Sequence, residues 1–329
     1  MAEAPRLRPR LQGLDALRGI AALCVVALHT NAVFGGVPWF AKGYLGVDFF
    51  LMLSGYLMAR ITEPRLAAGL SPVKFMRARY RRFWPMVALG SLIGTPYLWV
   101  RASGDWGAFL PALIANFLLL PWPLTNLLFA LNIPVWTIFF ELLANAAHVF
   151  ALRFLSTVRL AILTGSLGAL TIWVALHIGT LDLGARPATF LPGIPRILLA
   201  YCIGMLIWRT KGERPLAPVP GWLAVIAMPA ALLAAWYFGW RGPSFDLAFA
   251  ILLCPLVLAG ALRITRPNPL VWLSAAISFP VFAVHLPILE ATRELGYGKV
   301  PALCVVALVT AIIVVWTNRR VRRKEPAPA

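Results

Sequence analysis

The chain has 329 residues, of which 60% are hydrophobic and only 13% are charged. Soluble domains carry about 25% charged residues, so this composition excludes an ordinary soluble protein and predicts an integral membrane protein. The formal net charge of +18 does not indicate nucleic-acid binding, because the basic residues stand in short clusters between apolar stretches. The four cysteines all fall inside apolar segments, which indicates buried thiols and no disulfide framework.

Ten apolar segments approach the roughly 20 residues that a membrane-crossing helix needs. They predict an all-α fold, a polytopic integral membrane bundle of about ten transmembrane helices. The first segment is too long for the apolar part of a signal peptide, so we interpret it as an uncleaved span. A shorter apolar stretch over 108–120 is flanked by prolines, which favours an interfacial or re-entrant segment. The predicted spans are residues 14–34, 44–61, 84–101, 133–152, 159–178, 190–208, 221–240, 246–262, 270–290 and 300–317.

The basic residues predict the orientation of these spans. With a cytoplasmic N-terminus, 22 of the 30 Lys and Arg residues lie in cytoplasmic loops and six in the opposite loops. Cytoplasmic loops are enriched in Lys and Arg, so the split predicts that both termini are cytoplasmic, as an even number of spans requires. We therefore predict a single membrane domain over 1–329, with a core of about 11–317 and a short basic cytoplasmic tail over 318–329.

His29 is an ionisable residue inside the first predicted span, and Arg18 precedes it by eleven positions. Eleven residues are about three helical turns, so the two side chains lie on nearly the same face, roughly 16 Å apart along the axis. Ionisable groups inside a membrane span almost always face a polar interior or cavity. The pair therefore predicts such a cavity along the first helix.

Five ionisable residues from five predicted spans fall at similar depth, in the outer half of the membrane. Purely structural roles are the alternative for each: an ion pair between Asp48 and Arg196, a hydrogen bond from Glu141 to a neighbouring helix, or helix packing by His285. Two histidines and a glutamate at one depth, with little other charge in the spans, favour a functional site. The five residues are His29, Asp48, Glu141, Arg196 and His285.

Five motifs, in the same order along the chain, carry a resemblance to a known family. They are Leu-Asp-Ala-Leu-Arg-Gly-Ile-Ala-Ala over 14–22 with the ten-residue gap to His29, Gly-Val-Asp-Phe-Phe-Leu-Met-Leu-Ser-Gly-Tyr-Leu over 46–57, the basic segment with Phe75, Arg79, Arg82 and Pro85, Trp-Thr-Ile-Phe-Phe-Glu over 136–141, and Ile-Ser-Phe-Pro-Val-Phe-Ala-Val-His-Leu-Pro over 277–287. Together they resemble the membrane acyltransferase-3 family, which is similar to bacterial polysaccharide O-acetyltransferases. The chain departs from the family at Thr137-Ile138, where Ser-Leu is usual, and at 279–282, where the family is rich in tyrosine.

The resemblance implies an acyl-CoA-dependent O-acyltransferase of the bacterial cytoplasmic membrane, with a glycan or glycolipid as acceptor. Acyl transfer to a hydroxyl needs a base and donors for the oxyanion. We expect His29 to be that base or a transient acyl carrier, with Glu141 orienting it. His285 then binds the acceptor hydroxyl or shares the proton transfer.

The cytoplasmic basic segment is the expected site for the phosphates of CoA. Arginine suits phosphate, and Arg79 and Arg82 fit the family pattern, with Arg18 contacting CoA deeper in the cavity. The alternative is that these arginines only follow the positive-inside rule. Ser54, with Asp48 and Arg196, is expected to contact substrate or support the site. No metal-binding spacing is present, and we expect no cofactor besides acyl-CoA as co-substrate.

Two other functions remain open at this point. Histidine and glutamate inside a helical bundle also make the proton relays of proton-coupled transporters, although the sequence has no convincing inverted repeat. A non-catalytic partner in a glycan-assembly complex is the third possibility, and it predicts that His29 can be replaced without loss of function. Release of CoA distinguishes the enzyme from both.

Overall fold

The computed structural model describes residues 10–215 and 220–322, with side chains described as far as Arg319. The described residues form thirteen α-helices and no β-strand, which confirms the predicted all-α class. Residues 323–329 of the predicted tail lie outside the described residues. The helices are α1 (Gln12–Phe34), α2 (Gly46–Leu57), α3 (Glu63–Ala67), α4 (Pro72–Arg101), α5 (Trp106–Phe117), α6 (Val135–Phe150), α7 (Thr157–Ile178), α8 (Pro187–Lys211), α9 (Gly221–Tyr237), α10 (Pro243–Ala248), α11 (Cys254–Ala261), α12 (Pro269–Glu294) and α13 (Lys299–Arg322).

Eight helical segments of the described chain are long and apolar enough to cross a membrane. Two of them are composite: a short 3-10 helix (Gly43–Leu45), α2, a π-helical turn (Met58–Thr62) and α3 run on without a break, as do α10, a second π-helical turn and α11. The predicted spans 133–152 and 221–240 correspond to α6 and α9, which have 16 and 17 residues. A polytopic helical bundle is thus confirmed, whereas the count of ten spans and the orientation stay predictions.

The basic segment before residue 84 is helical, which corrects its interpretation as a loop. Helix α4 begins at Pro72, and the Ser71 side chain accepts a hydrogen bond from the backbone N–H of Lys74. Serine at this position and proline in the first turn are favourable helix-starting signals. The helix has 30 residues, about 45 Å at 1.5 Å per residue, against a hydrocarbon core of about 30 Å. Its basic first turns therefore extend beyond the apolar layer, where Lys and Arg are tolerated.

Helix α12 is packed between α1, α4 and α13, and glycines allow the closest of these approaches. A Cβ atom on Gly19 of α1 would lie 2.0 Å from the Ser274 hydroxyl and 2.5 Å from its carbonyl oxygen. The Ser274 hydroxyl in turn donates a 2.8 Å hydrogen bond to the carbonyl of Ala16. Small residues at such crossings let two backbones pack closely within a membrane. This contact sets the distance between α1 and α12 and therefore between the side chains further along both helices.

We expect Gly19→Ala to destabilise the protein by about 1–3 kcal/mol, the usual cost of overpacking a tight contact. The matched control is Gly165→Ala in α7, where an added Cβ meets nothing within 4 Å. Because alanine favours helix over glycine, the control is expected to be neutral or slightly stabilising. Thermal unfolding of the two purified variants checks this, and equal melting temperatures would contradict the close contact.

Candidate functional site

A cavity of about 690 Å³ lies between α1, α2, α4, α6 and α12. Seven Lys and Arg side chains line it against two carboxylates, Asp15 and Glu141. Its deeper wall is apolar and aromatic. Such a lining suits a ligand with an anionic head and a less polar arm. The basic lining residues are Arg10, Arg18, Arg60, Arg65, Lys74, Arg79 and Arg82.

The three arginines expected to bind CoA all line this cavity, but they differ in exposure and in ion-pair partners. Arg18 is partly exposed and lies 3.7 Å from the Asp15 carboxylate. Arg79 makes an ion pair of 2.6 Å with Glu141. Arg82, one helical turn beyond Arg79 on α4, is exposed and makes no ion pair with the described residues. Arg82 is therefore the arginine of the three that is most readily available to an incoming anion.

Glu141 contacts Arg79 and Ser54, and not His29 as the sequence analysis expected. Its Oε1 atom accepts hydrogen bonds from Arg79 Nη2 at 2.6 Å and from Ser54 Oγ at 3.1 Å. The two charged side chains are only 20% and 24% exposed, so each charge is compensated by the other at this partly buried position. The pair joins α4 to α6 at the wall of the cavity and fixes the Arg79 guanidinium there.

The buried side-chain amide of Asn145 packs behind this wall of the cavity, and the sequence analysis did not identify it. Asn145 Oδ1 accepts a hydrogen bond from Tyr201 Oη at 3.1 Å and lies 3.5 Å from Ser54 Oγ, whose single hydrogen is donated to Glu141. Asn145 follows Glu141 by four residues, so both lie on the same face of α6. That spacing is the signal that a helical-face analysis of the span would have used.

The two histidines meet, although they are 256 residues apart in the sequence. The distance between His29 Nδ1 and His285 Nε2 is 2.9 Å, and the ring centroids are 5.1 Å apart. His285 is fully buried, whereas His29 is partly exposed. The packing of α1 on α12 produces this contact, which neither span reveals by itself.

Backbone carbonyls determine which nitrogens of the pair carry protons. His285 Nδ1 lies 2.9 Å from the carbonyl oxygens of both Val281 and Phe282, which only accept hydrogen bonds. Nδ1 of His285 therefore carries the proton, and its Nε2 is an acceptor in the neutral ring. It follows that His29 donates from Nδ1, and that the lone pair of a neutral His29 is on Nε2. A base needs such a lone pair, and in this pair His285 takes the orienting position expected of Glu141.

Asp48 and Arg196 form a bidentate ion pair, as one alternative in the sequence analysis proposed. Arg196 Nε and Nη2 donate to the two carboxylate oxygens of Asp48 at 2.9 and 2.6 Å. The remaining guanidinium hydrogens reach the backbone carbonyls of Tyr44, Leu181 and Leu183. Asp48 and Arg196 are 0% and 1% exposed, so no donor is left for a substrate. This pair is structural and joins α2, α8 and the loop before α8.

Other polar contacts connect residues that the sequence analysis did not relate. Asp246 of α10 is fully buried and accepts hydrogen bonds from Lys42 Nζ at 2.6 Å and Tyr44 Oη at 2.7 Å. Arg101 at the end of α4 pairs with Glu290 of α12 at 2.6 Å. Both contacts join segments far apart in sequence, and we assign them to holding these helix ends together. The described residues hold no group of three or more His, Cys, Asp or Glu suited to a metal ion.

Comparison with known proteins identifies the family. The model of the family described as "Acyltransferase domain" matches residues 11–319. Protein 2 in the picA locus of Rhizobium radiobacter is 33% identical over 153 residues, which cover 41% of this chain and 78% of that protein. A putative membrane-bound transacylase, BcsY, of Komagataeibacter xylinus is 31% identical over 97 residues. The O-acetyltransferase OatA of Staphylococcus aureus is 35% identical over 86 residues.

The last two matches cover 29% and 26% of this chain and only 23% and 13% of the respective relatives, so the shared part is a limited piece of those proteins. No solved structure matches the chain. The family match, in contrast, extends over nearly the whole chain and includes every residue of the cavity and of the histidine pair except Arg10. Together with the polytopic helical bundle, it shows that this chain belongs to the membrane acyltransferases of that family.

Proposed function

We propose that the chain transfers an acyl group, most simply acetyl, from cytoplasmic acyl-CoA to a hydroxyl of a cell-surface or exported glycan or glycolipid. The observation that carries the proposal is a basic cavity next to the histidine pair, in which the lone pair of a neutral His29 is on Nε2. In this proposal the protein spans the bacterial cytoplasmic membrane with its N-terminus inside. The lipid bilayer, acyl-CoA and the acceptor are then its partners.

The cavity supports CoA as the donor. CoA has a diphosphate and a 3′-phosphate at one end and a flexible pantetheine arm with the thioester at the other. Exposed Arg82, with Arg18 and Lys74, offers the cationic groups that phosphates require. The apolar inner wall suits the arm, which is long enough to cover the roughly 16 Å rise from Arg18 to His29.

The histidine pair supports a single displacement at the thioester. The acceptor oxygen attacks the thioester carbon, so that a C–O bond forms and the C–S bond breaks. His29 Nε2 takes the hydroxyl proton and returns it to the departing sulfur, which leaves as the thiol of CoA. His285 holds the His29 ring in place and stabilises its protonated form by accepting from Nδ1. A hydroxyl acceptor is suggested by the OatA relative, which is named an O-acetyltransferase, whereas the glycan rests on the family resemblance of the sequence motifs.

The deciding experiment incubates the purified protein with acetyl-CoA radiolabelled in the acetyl group and with a crude envelope glycan fraction. We expect label in the glycan and a matching release of free CoA, both dependent on the protein. Release of CoA without labelled glycan would support the donor and refute this acceptor class. Absence of both would refute the acyl-CoA proposal and favour a transporter.

The role of Arg82 gives a separate prediction on donor binding. Arg82→Gln removes a charge that lines the cavity without leaving a carboxylate unpaired, in contrast to a substitution at Arg79. Because a hydrogen bond to a charged group contributes about 1.5–3 kcal/mol, we expect the Kd for CoA to rise about tenfold or more. Isothermal titration calorimetry measures this.

The neighbouring Arg81 is a matched control, because it is exposed on the same helix but does not line the cavity. Arg81→Gln is expected to change the Kd less than twofold, as a distant and screened surface charge does. Equal effects of the two variants would indicate general attraction by the basic surface and not a phosphate site at Arg82.

A further inference from the structure

Two phenylalanine rings of the cavity lining contact each other, and one of them also contacts the histidine pair. Phe50 of α2 and Phe282 of α12 both line the cavity, whereas neither His29 nor His285 does. The two rings meet edge to face, with centroids 5.7 Å apart and an interplanar angle of 66°. The Phe282 ring also lies 6.0 Å from the ring of His285, which follows it by three residues on α12. The aromatic pair thus connects the lining of the cavity to the histidine pair.

We infer that Phe50 and Phe282 form a gate through which the acyl group must pass to reach His29, and that the size of the two rings limits which acyl groups are transferred. The inference rests on the proposed function, in which the donor enters by the basic cavity. Helix α1 lines that cavity only as far as Arg18, about three turns before His29. In this inference the thioester meets the imidazole only after one of the rings moves.

The surroundings of the two rings are consistent with a movable gate. Phe282 is 6% exposed, but Phe50 is only partly buried and packs against the edges of three separate apolar clusters. An edge-to-face contact is a weak attraction that can be broken by rotation about the side-chain bonds. Phe50 borders the empty volume of the cavity, which gives its ring space to turn into. We therefore assign the moving part to Phe50 and the fixed part to Phe282.

The first test measures access and needs no turnover. A background without the four native cysteines carries either His29→Cys or Arg82→Cys and is reconstituted into vesicles. A membrane-impermeant maleimide is then added on the side from which the residue-82 cysteine reacts, which identifies the side of the cavity. We expect the residue-29 cysteine to react from that side at least tenfold faster when Phe50→Ala is also present. Equal rates with and without Phe50→Ala would overturn the gate.

The second test measures acyl selectivity with acetyl-, butyryl- and hexanoyl-CoA. A pocket distinguishes one methylene by about 10–200-fold, so Phe50→Ala and Phe282→Ala are expected to raise the ratio of hexanoyl to acetyl transfer at least tenfold. Phe282→Leu serves as the milder variant, with a smaller change in the same direction. The control is Phe109→Ala, which removes a buried ring of α5 packed against Trp99 and Trp106, away from the cavity.

The outcomes separate this inference from the proposed function. Suppose that the unaltered protein turns over acetyl-CoA and that all variants have the same ratio of hexanoyl to acetyl transfer. This result would overturn the size limit and keep the acyltransferase function. No release of CoA from any of the three donors by the unaltered protein would overturn the proposed function and the gate as its component. A selectivity change in the Phe50 and Phe282 variants that is missing from the Phe109 variant would support both.

Discussion

His29→Ala is expected to lower the rate of acyl transfer by about 10²–10⁴-fold, the range that a positioned general base contributes. The physical reason is the arrangement of the histidine pair, in which the Nδ1 proton of His29 is engaged by His285 and the lone pair lies on Nε2. Alanine removes that lone pair without leaving a buried charge. We therefore expect normal expression and an unchanged gel-filtration profile, with transfer measured from labelled acetyl-CoA at matched protein concentration.

His177→Ala provides the matched control for this prediction. The His177 side chain is at the end of α7, contacts the Trp173 ring and the Trp173 carbonyl, and does not line the cavity. We expect the control to keep nearly full activity. If His29→Ala retained more than about a tenth of the activity, a base contribution of the usual size would be excluded. A non-catalytic role in an assembly complex would then become the better account.

Asp48→Ala is expected to destabilise the folded protein by about 3–5 kcal/mol, because it leaves Arg196 charged, buried and without its carboxylate. Both side chains are within 1% of complete burial, and their two hydrogen bonds measure 2.9 and 2.6 Å. Thermal unfolding in detergent, followed by the loss of monodisperse protein, measures the effect. We expect a large fall in melting temperature or no recoverable protein.

Two further variants distinguish loss of the ion pair from general damage. In Asp48→Leu combined with Arg196→Met, both charges are absent, and since buried pairs can be replaced by apolar residues at little cost, much of the stability is expected to return. Glu294→Ala removes an exposed carboxylate at the end of α12, and its effect is expected to stay within about 0.5 kcal/mol. A double variant as unstable as Asp48→Ala would refute the ion-pair explanation.

The helical architecture was largely predictable from the sequence, because apolar segments of sufficient length leave few alternatives in a membrane. The start of α4 was not, since a segment rich in Lys and Arg resembles a loop unless its Ser71-Pro72 start is given weight. The Asp48–Arg196 pair was foreseen as an alternative because two buried charges need compensation. The partner of Glu141 could not be predicted, because only the packing of α4 on α6 brings Arg79 to its carboxylate.

The histidine contact marks the limit of the sequence argument for the site. Both residues were identified by the rarity of ionisable groups in spans, but their 2.9 Å contact depends on how closely α1 crosses α12 at Gly19. The aromatic pair, Phe50 and Phe282, went unnoticed because phenylalanine is common in membrane spans and gives no signal of its own. Its place next to the cavity and to His285 depends on the packing of α1, α2 and α12 on one another, which no single segment shows.

The carbonyl contacts of His285 also determine whether the histidine pair can conduct protons through the bundle. A proton-conducting chain requires every member to accept a proton on one side and release it on the other. His285 Nδ1–H points at the carbonyl oxygens of Val281 and Phe282, which do not take up protons at physiological pH. A proton that binds His29 at Nε2 therefore leaves by the same atom. The pair is a dead end for conduction, so two histidines can lie inside the bundle without forming a proton path through it.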